Sequence, residues 1–226
     1  MSWQIEPAGL IIGHVLKVSF QRCLRPADGI HHRPPSSLGA LPLGSSETGE
    51  LMVPVGSTES VWLGLARVHD TIPVLLFAAV ETRQGRKINL CSGRPWREDF
   101  HSNIRVITGS AIDGIPHSAG GVYALGRRPP KPKLPSCKAV DLIAVPSRHI
   151  SLVAVAGNDK SGHKLEWRAP SLLSPRPAPD SKAWAVEMAA EAQINFVNGS
   201  TFTQKTGSLA PPPIDRSLGY PGWRLP

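Results

Sequence analysis

Apolar residues recur along this chain mostly in short alternating or continuous runs, the spacing of β-strands. Leu10 to Phe20 is the first such run, with His14 near its middle, and Leu51 to Val55 is a second, ended by Gly56-Ser57. Ser60 to Ala66 alternates, with Val61, Leu63 and Leu65 on one face and Trp62 on the other. Ile72 to Val80 is continuously apolar and flanked by Pro73 and Gln84-Gly85, as expected of a strand buried on both faces. Lys87 to Cys91, Ile104 to Thr108, Gly121 to Leu125, Ala139 to Val145, Ile150 to Ala156 and Lys164 to Trp167 continue the series. Residues that tolerate positive φ fill Gly157 to Gly162 and predict a hairpin turn there. The fold class expected is mainly β, an antiparallel sandwich or partly open barrel.

Three stretches break the pattern. Arg22 to Gly49 is rich in Pro, Gly, Ser and His without periodicity, and reads as a loop or linker that leaves the first strand at an edge. Arg168 to Ser181 reads as a proline-rich linker. Lys182 to Gln193 carries Ala183, Val186, Ala189 and Ala190 at helical spacing and predicts one C-terminal helix, capped by Asp180 or Ser181. An extended tail with Pro211-Pro212-Pro213 follows. The organisation expected is a strand (1–20), a loop (21–49), a β domain (50–167), a linker (168–181), and a helix and tail packed on the β domain (182–226).

Composition sharpens this picture. At 226 residues the chain can bury roughly 70 % of its unfolded surface without disulfides or metal. Its 23 prolines and 21 glycines, about a fifth of all residues, favour short strands and irregular loops. Cys23, Cys91 and Cys137 are odd in number and lie outside any Cys-x-x-Cys spacing, so neither a zinc site nor a disulfide scaffold is expected. Cys91 is expected to behave as a small buried apolar residue. No basic leader precedes the first apolar run and no apolar run is long enough for a membrane helix. A soluble, cytoplasmic protein is expected, in which the Asn198-Gly199-Ser200 sequon stays unmodified. The formal charge of +8 raises nucleic acid as a partner, with Arg127, Arg128, Lys131 and Lys133 forming the densest basic stretch.

The segments Glu59-Ser-Val-Trp62-Leu-Gly-Leu65, Lys87-Ile88-Asn89-Leu-Cys-Ser92-Gly93-Arg-Pro95-Trp96 and Ile112-Asp113-Gly114-Ile115 follow one another in that order. Together they resemble a family of small β-rich proteins of uncharacterised function. That family carries a Trp-aliphatic-x-aromatic strand, then Lys-Ile-Asn-x-x-Ser/Thr-Gly, then Pro-Trp-Leu-Asp-Gly. Leu65 stands where an aromatic is usual, and Ser110-Ala111 replace the Pro-Trp. The tail from Phe202 to Gly207 with its triple proline is similar as well. The resemblance covers about half the chain and implies a β fold without implying an activity.

Candidate chemistry is sparse. Lys87 and Asn89, beside the Ser92-Gly93 turn and Trp96, are candidate ligand-binding residues, although strand alternation predicts that both face solvent while Ile88 enters the core. No His-x-His pair and no Gly-x-Ser-x-Gly elbow occurs, so neither a metal site nor a cofactor is expected. Asp99, His101 and Asp113 are the residues a loop-built hydrolase-type site would use. Asp113-Gly114 also reads as a turn in which the glycine supplies positive φ. Trp62, Trp96 and Trp167 are expected to fill core or rim positions. The function expected is a non-enzymatic β module that binds or scaffolds another protein, or associates with itself. The hydrolase and a nucleic-acid-binding protein using Arg127 to Lys133 are the alternatives.

Overall fold

A computed structural model describes residues 3–106, 110–118, 120–148 and 182–214. The amino-terminal third forms β1 (Trp3–Glu6), β2 (Gly9–Ile12), β3 (Leu16–Leu24), β4 (Ile30–His31) and β5 (Gly44–Ser45). The middle forms β6 (Leu51–Pro54), β7 (Glu59–Arg67), β8 (Val74–Thr82), β9 (Lys87–Asn89) and β10 (Ile104–Val106). The remainder forms β11 (Ser110–Ile112), β12 (Ile115–Pro116), β13 (Val122–Tyr123), β14 (Cys137–Pro146), β15 (Ala190–Val197) and α1 (Gly199–Thr206).

These strands build a mainly antiparallel β fold that does not close into a barrel. One sheet runs β1-β2-β3-β7-β11, a second runs β10-β8-β14-β15-β6-β5, and a small third runs β12-β13-β4. β10 and β9 share the free edge of β8, each pairing with a different half of it. The pairing of β15 with β6 is parallel. The two large sheets face each other across an apolar interior that includes Leu10, Phe20, Leu63, Leu76, Val140 and Ile194. Phe20 of the first sheet meets Phe196 of the second edge-on, with ring centroids 6.3 Å apart. Burying a side chain of this size stabilises on the order of 2 kcal/mol, so the interface of the sheets dominates the fold.

Several expectations are corrected. The run from Leu10 to Phe20 is two strands, because Gly13 and His14 both take positive φ (58° and 59°) and reverse the chain. β2 and β3 both lie inside their sheet, between β1 and β7, so the 10–20 run is not at an edge. Residues 22–49 are not a detached linker: Leu41 and Leu43 are buried, and the 38–41 stretch bonds to β3 through Arg22 and Phe20. No helix covers 182–193. A single 3-10 turn (Val186–Met188) precedes β15, where Ala190, Ala192, Ile194 and Phe196 point inward at period two. Pairing with both β14 and β6 outweighs the helical propensity of the alanines.

The C-terminal helix is α1, one element later. Its cap is Asn198, whose side chain accepts a hydrogen bond from the Thr201 amide at 2.7 Å. The sequon asparagine therefore has a structural task. Trp62 and Trp96 are half-buried, at the rim of the core. Gly114 does not use positive φ; a Cβ there would lie 2.2 Å from the Tyr123 carbonyl oxygen, so close backbone approach requires the glycine. The 150–156 and 164–167 strands, the turn between them, Trp167, the linker and the expected caps Asp180 and Ser181 lie outside the described residues. No helix among the described residues is long and apolar enough to cross a membrane.

Candidate functional site

A buried polar cluster lies where β3 ends and β7 begins. Glu59 opens β7 opposite Leu24, is 2 % exposed, and would be costly there without partners. Arg22 of β3 supplies a two-pronged one: Nε donates to Oε2 at 3.0 Å and Nη2 to Oε1 at 2.5 Å. The Gly56 amide donates to Oε2 at 3.2 Å, and a side chain at Gly56 would collide with the carboxylate.

The fourth hydrogen bond comes from far along the chain. The Ile214 amide donates to Glu59 Oε1 at 2.9 Å, while Arg22 Nη2 also donates to the Pro212 carbonyl. The proline-rich tail is thus held by two of its main-chain groups, two residues apart, with Ile214 buried beside them. Arg22 and Glu59 form a clasp on an extended peptide, and the peptide present is residues 211–214. Alongside, a groove of about 690 Å³ runs between α1 and residues 210–213.

Next to the clasp is a cleft of about 370 Å³ lined by Cys23, His31 and the 32–36 segment. Behind it His31 Nε2 lies 3.3 Å from Ser60 Oγ, and Cys23 Sγ lies 3.2 Å from the same oxygen. Burial pushes the His31 ring down to about 4, against the opposing charge of Asp28, so this imidazole is neutral at pH 7. Burial likewise pushes the Cys23 thiol up to about 11; the Ser60 hydrogen bond lowers it, while Asp113 and Glu59 raise it. A neutral histidine and a protonated thiol make this cluster a buried polar link between strands rather than an activated nucleophile.

The sequence-nominated residues fall in several places. Asn89 is fully buried, not on the wet face of β9. Its Nδ2 donates to the carbonyls of Asp99 (2.8 Å) and Ser102 (3.0 Å), and its Oδ1 accepts from the amides of Cys91 (2.7 Å) and Ser92 (3.3 Å). One amide side chain therefore shapes the whole 90–102 loop, which roofs that side of β9. Lys87 is exposed, as alternation predicts, with Nζ 2.8 Å from Asp141 and 5.3 Å from the Trp96 ring centre. Asp99 and His101 share the loop that Asn89 shapes. The Asp99 carboxylate accepts from Ser102 Oγ at 2.8 Å, and although burial raises its pKa, hydrogen bonds from Ser92 and Ser102 outweigh this and lower it. His101 is exposed and stacks on Phe100 at 3.8 Å. Asp113 is buried after β11, where its charge bears on Cys23.

Cys91 is buried as expected, and so are Cys23 and Cys137; all three are free thiols. Among the described residues no three His, Cys, Asp or Glu side chains come together as a metal-binding group. Arg127, Arg128, Lys131 and Lys133 lie on the loop joining β13 to β14, with Arg127 half-buried and the other three exposed. Sequence reasoning passed over Arg22, Glu59 and Ile214. The one local sign was an acidic residue opening an otherwise apolar strand, since Glu59 lies 37 residues from Arg22 and 155 from Ile214. Comparison with family models, curated proteins and solved structures finds no match, and the site's own geometry carries the functional argument.

Proposed function

We propose that this chain is a non-enzymatic binding module whose β domain takes up an extended, proline-rich peptide ending in an apolar side chain. The observation that carries this reading is the clasp: Arg22 and Glu59 bond the Pro212 carbonyl and the Ile214 amide, main-chain groups that any extended peptide presents. Prolines preset the extended conformation, so little entropy is lost on docking. The chain's own tail is the resident occupant, tethered by a short link from α1. Such a link holds the tail at an effective concentration of roughly millimolar, which keeps competitors out until the tail leaves. Tail exchange between two copies is then one route to self-association.

The test is a chain ended after Leu209, checked for native circular dichroism and titrated calorimetrically with a synthetic peptide of residues 209–216. The shortened chain is expected to bind the peptide and the full chain to refuse it. A folded, shortened chain that ignores the peptide overturns the reading.

A further inference from the structure

A second surface, distant in sequence from the clasp, is built from arginines. Arg83 follows β8, and its amide donates to the Ser136 carbonyl at 2.8 Å. Ser136 Oγ in turn donates to the Arg127 carbonyl at 2.7 Å, and the Cys137 amide to the Gly126 carbonyl at 3.0 Å. These bonds fold the 126–136 loop back on the end of β8 and bring Arg83 beside Arg127 and Arg128. Arg127 Nε donates to the Val55 carbonyl at 3.2 Å, which fixes the guanidinium plane. The Arg128 carbonyl accepts from Arg25 Nη1, so the loop is tied down there too.

Among the described residues, the carboxylates nearest the cluster are already engaged elsewhere. Glu59 is engaged by Arg22, and Glu81 by Lys138 at 2.7 Å. Among the described residues no ion pair includes Arg83, Arg127 or Arg128. Burial first, and then the nearby charges of Arg128 and Arg83, press the Arg127 pKa downward. Lys131 and Lys133 extend the same sign along an exposed, proline-spaced stretch.

We propose that Arg83, Arg127 and Arg128 form a phosphate-binding surface for the backbone of a nucleic-acid strand, continued by Lys131 and Lys133. Guanidinium forks match phosphate oxygens two at a time, and a run of basic residues suits a run of phosphates better than one small anion. The sequence nominates the loop; the structure adds Arg83, 44 positions before Arg127 but tied to it through Ser136. The inference is independent of the peptide clasp, which uses Arg22.

The test is fluorescence anisotropy of a labelled single-stranded oligonucleotide with the full chain across a salt series. Binding is expected to weaken linearly in log–log form. Each arginine removed by R83A, R127A or R128A is expected to flatten the slope by about 0.7, the single-strand value per phosphate contact. The triple variant is expected to lose at least about tenfold in affinity at low salt, as several charged contacts vanish together. R105A, at the opposite end of β8 on the paired strand β10, is the charge-matched control and is expected to change neither quantity. Absence of binding at low salt, or an equal effect of R105A and R83A, overturns the proposal. Full competition by inorganic phosphate at millimolar concentration also overturns it, in favour of a free-phosphate site.

Discussion

Arg22 and Arg127 are two arginines in nearly opposite circumstances. Arg22 is mostly buried and its charge is fully answered: a carboxylate holds it by two prongs, and a main-chain carbonyl accepts a further hydrogen bond. Arg127 is half-buried and anchored by one neutral carbonyl, with two more arginines acting on it. A buried ion pair fails badly when one partner is removed, because the remaining charge is stranded. A cluster of like charges, by contrast, is relieved by losing a member. Burial alone therefore does not separate structural from binding arginines; the deciding feature is whether the charge is already satisfied.

The largest expected effect follows from that contrast. Glu59→Ala strands Arg22 and removes the acceptor of two amides, so urea unfolding is expected to show a loss of about 3–5 kcal/mol. Arg127→Ala, measured the same way, is expected to stay within about 0.5 kcal/mol of the parent, a surface-like value. Equal losses at the two positions would break the comparison.

Asn89→Ala sharpens it with a neutral buried group. Four hydrogen bonds vanish and two amides and two carbonyls of the 90–102 loop lose their partner, with an expected cost of about 2–3 kcal/mol in urea unfolding.

A third measurement uses pH. The His31 ring titrates near 4 in the folded chain, below its ordinary 6.5, so the unfolded chain binds more protons between those values. Stability is then fully present above about pH 6.5 and falls as pH drops through 4, by about 3 kcal/mol from this group. Histidine-31 replaced by glutamine (His31→Gln) is expected to flatten that part of the stability profile. A small effect is also expected of Lys87→Ala. Its bridge to Asp141 is partly exposed and its contact with Trp96 loose, so a change below about 1 kcal/mol in urea unfolding is expected.

The central strands were readable from their apolar patterns: β7 alternates and β8 is apolar from Val74 to Val80, and both lie where the sequence puts them. The 182–193 segment was misread because small alanines satisfy a helical stripe and an alternating strand equally; only the partners β14 and β6 decide. Residues 22–49 hid their order because the 38–41 stretch joins β3 by main-chain bonds, which leave no periodic mark. Asn89 sits on the side of β9 that alternation assigns it, but the loop it organises covers that side. The clasp was illegible for the same reason as the arginine cluster. Each joins residues distant in sequence, and only the fold brings Ile214 to Glu59 or Arg83 to Arg127.

The claim that the β domain reads the peptide main chain rests on one hydrogen bond more than any other, from the Ile214 amide to Glu59. A peptide of residues 209–216 carrying N-methyl-isoleucine at 214 keeps every side chain and loses that donor. Calorimetric titration into the chain ended after Leu209 is expected to show at least about tenfold weaker binding than the unmodified peptide, the scale of one hydrogen bond to a buried charge. Equal affinity for the two peptides would contradict the account.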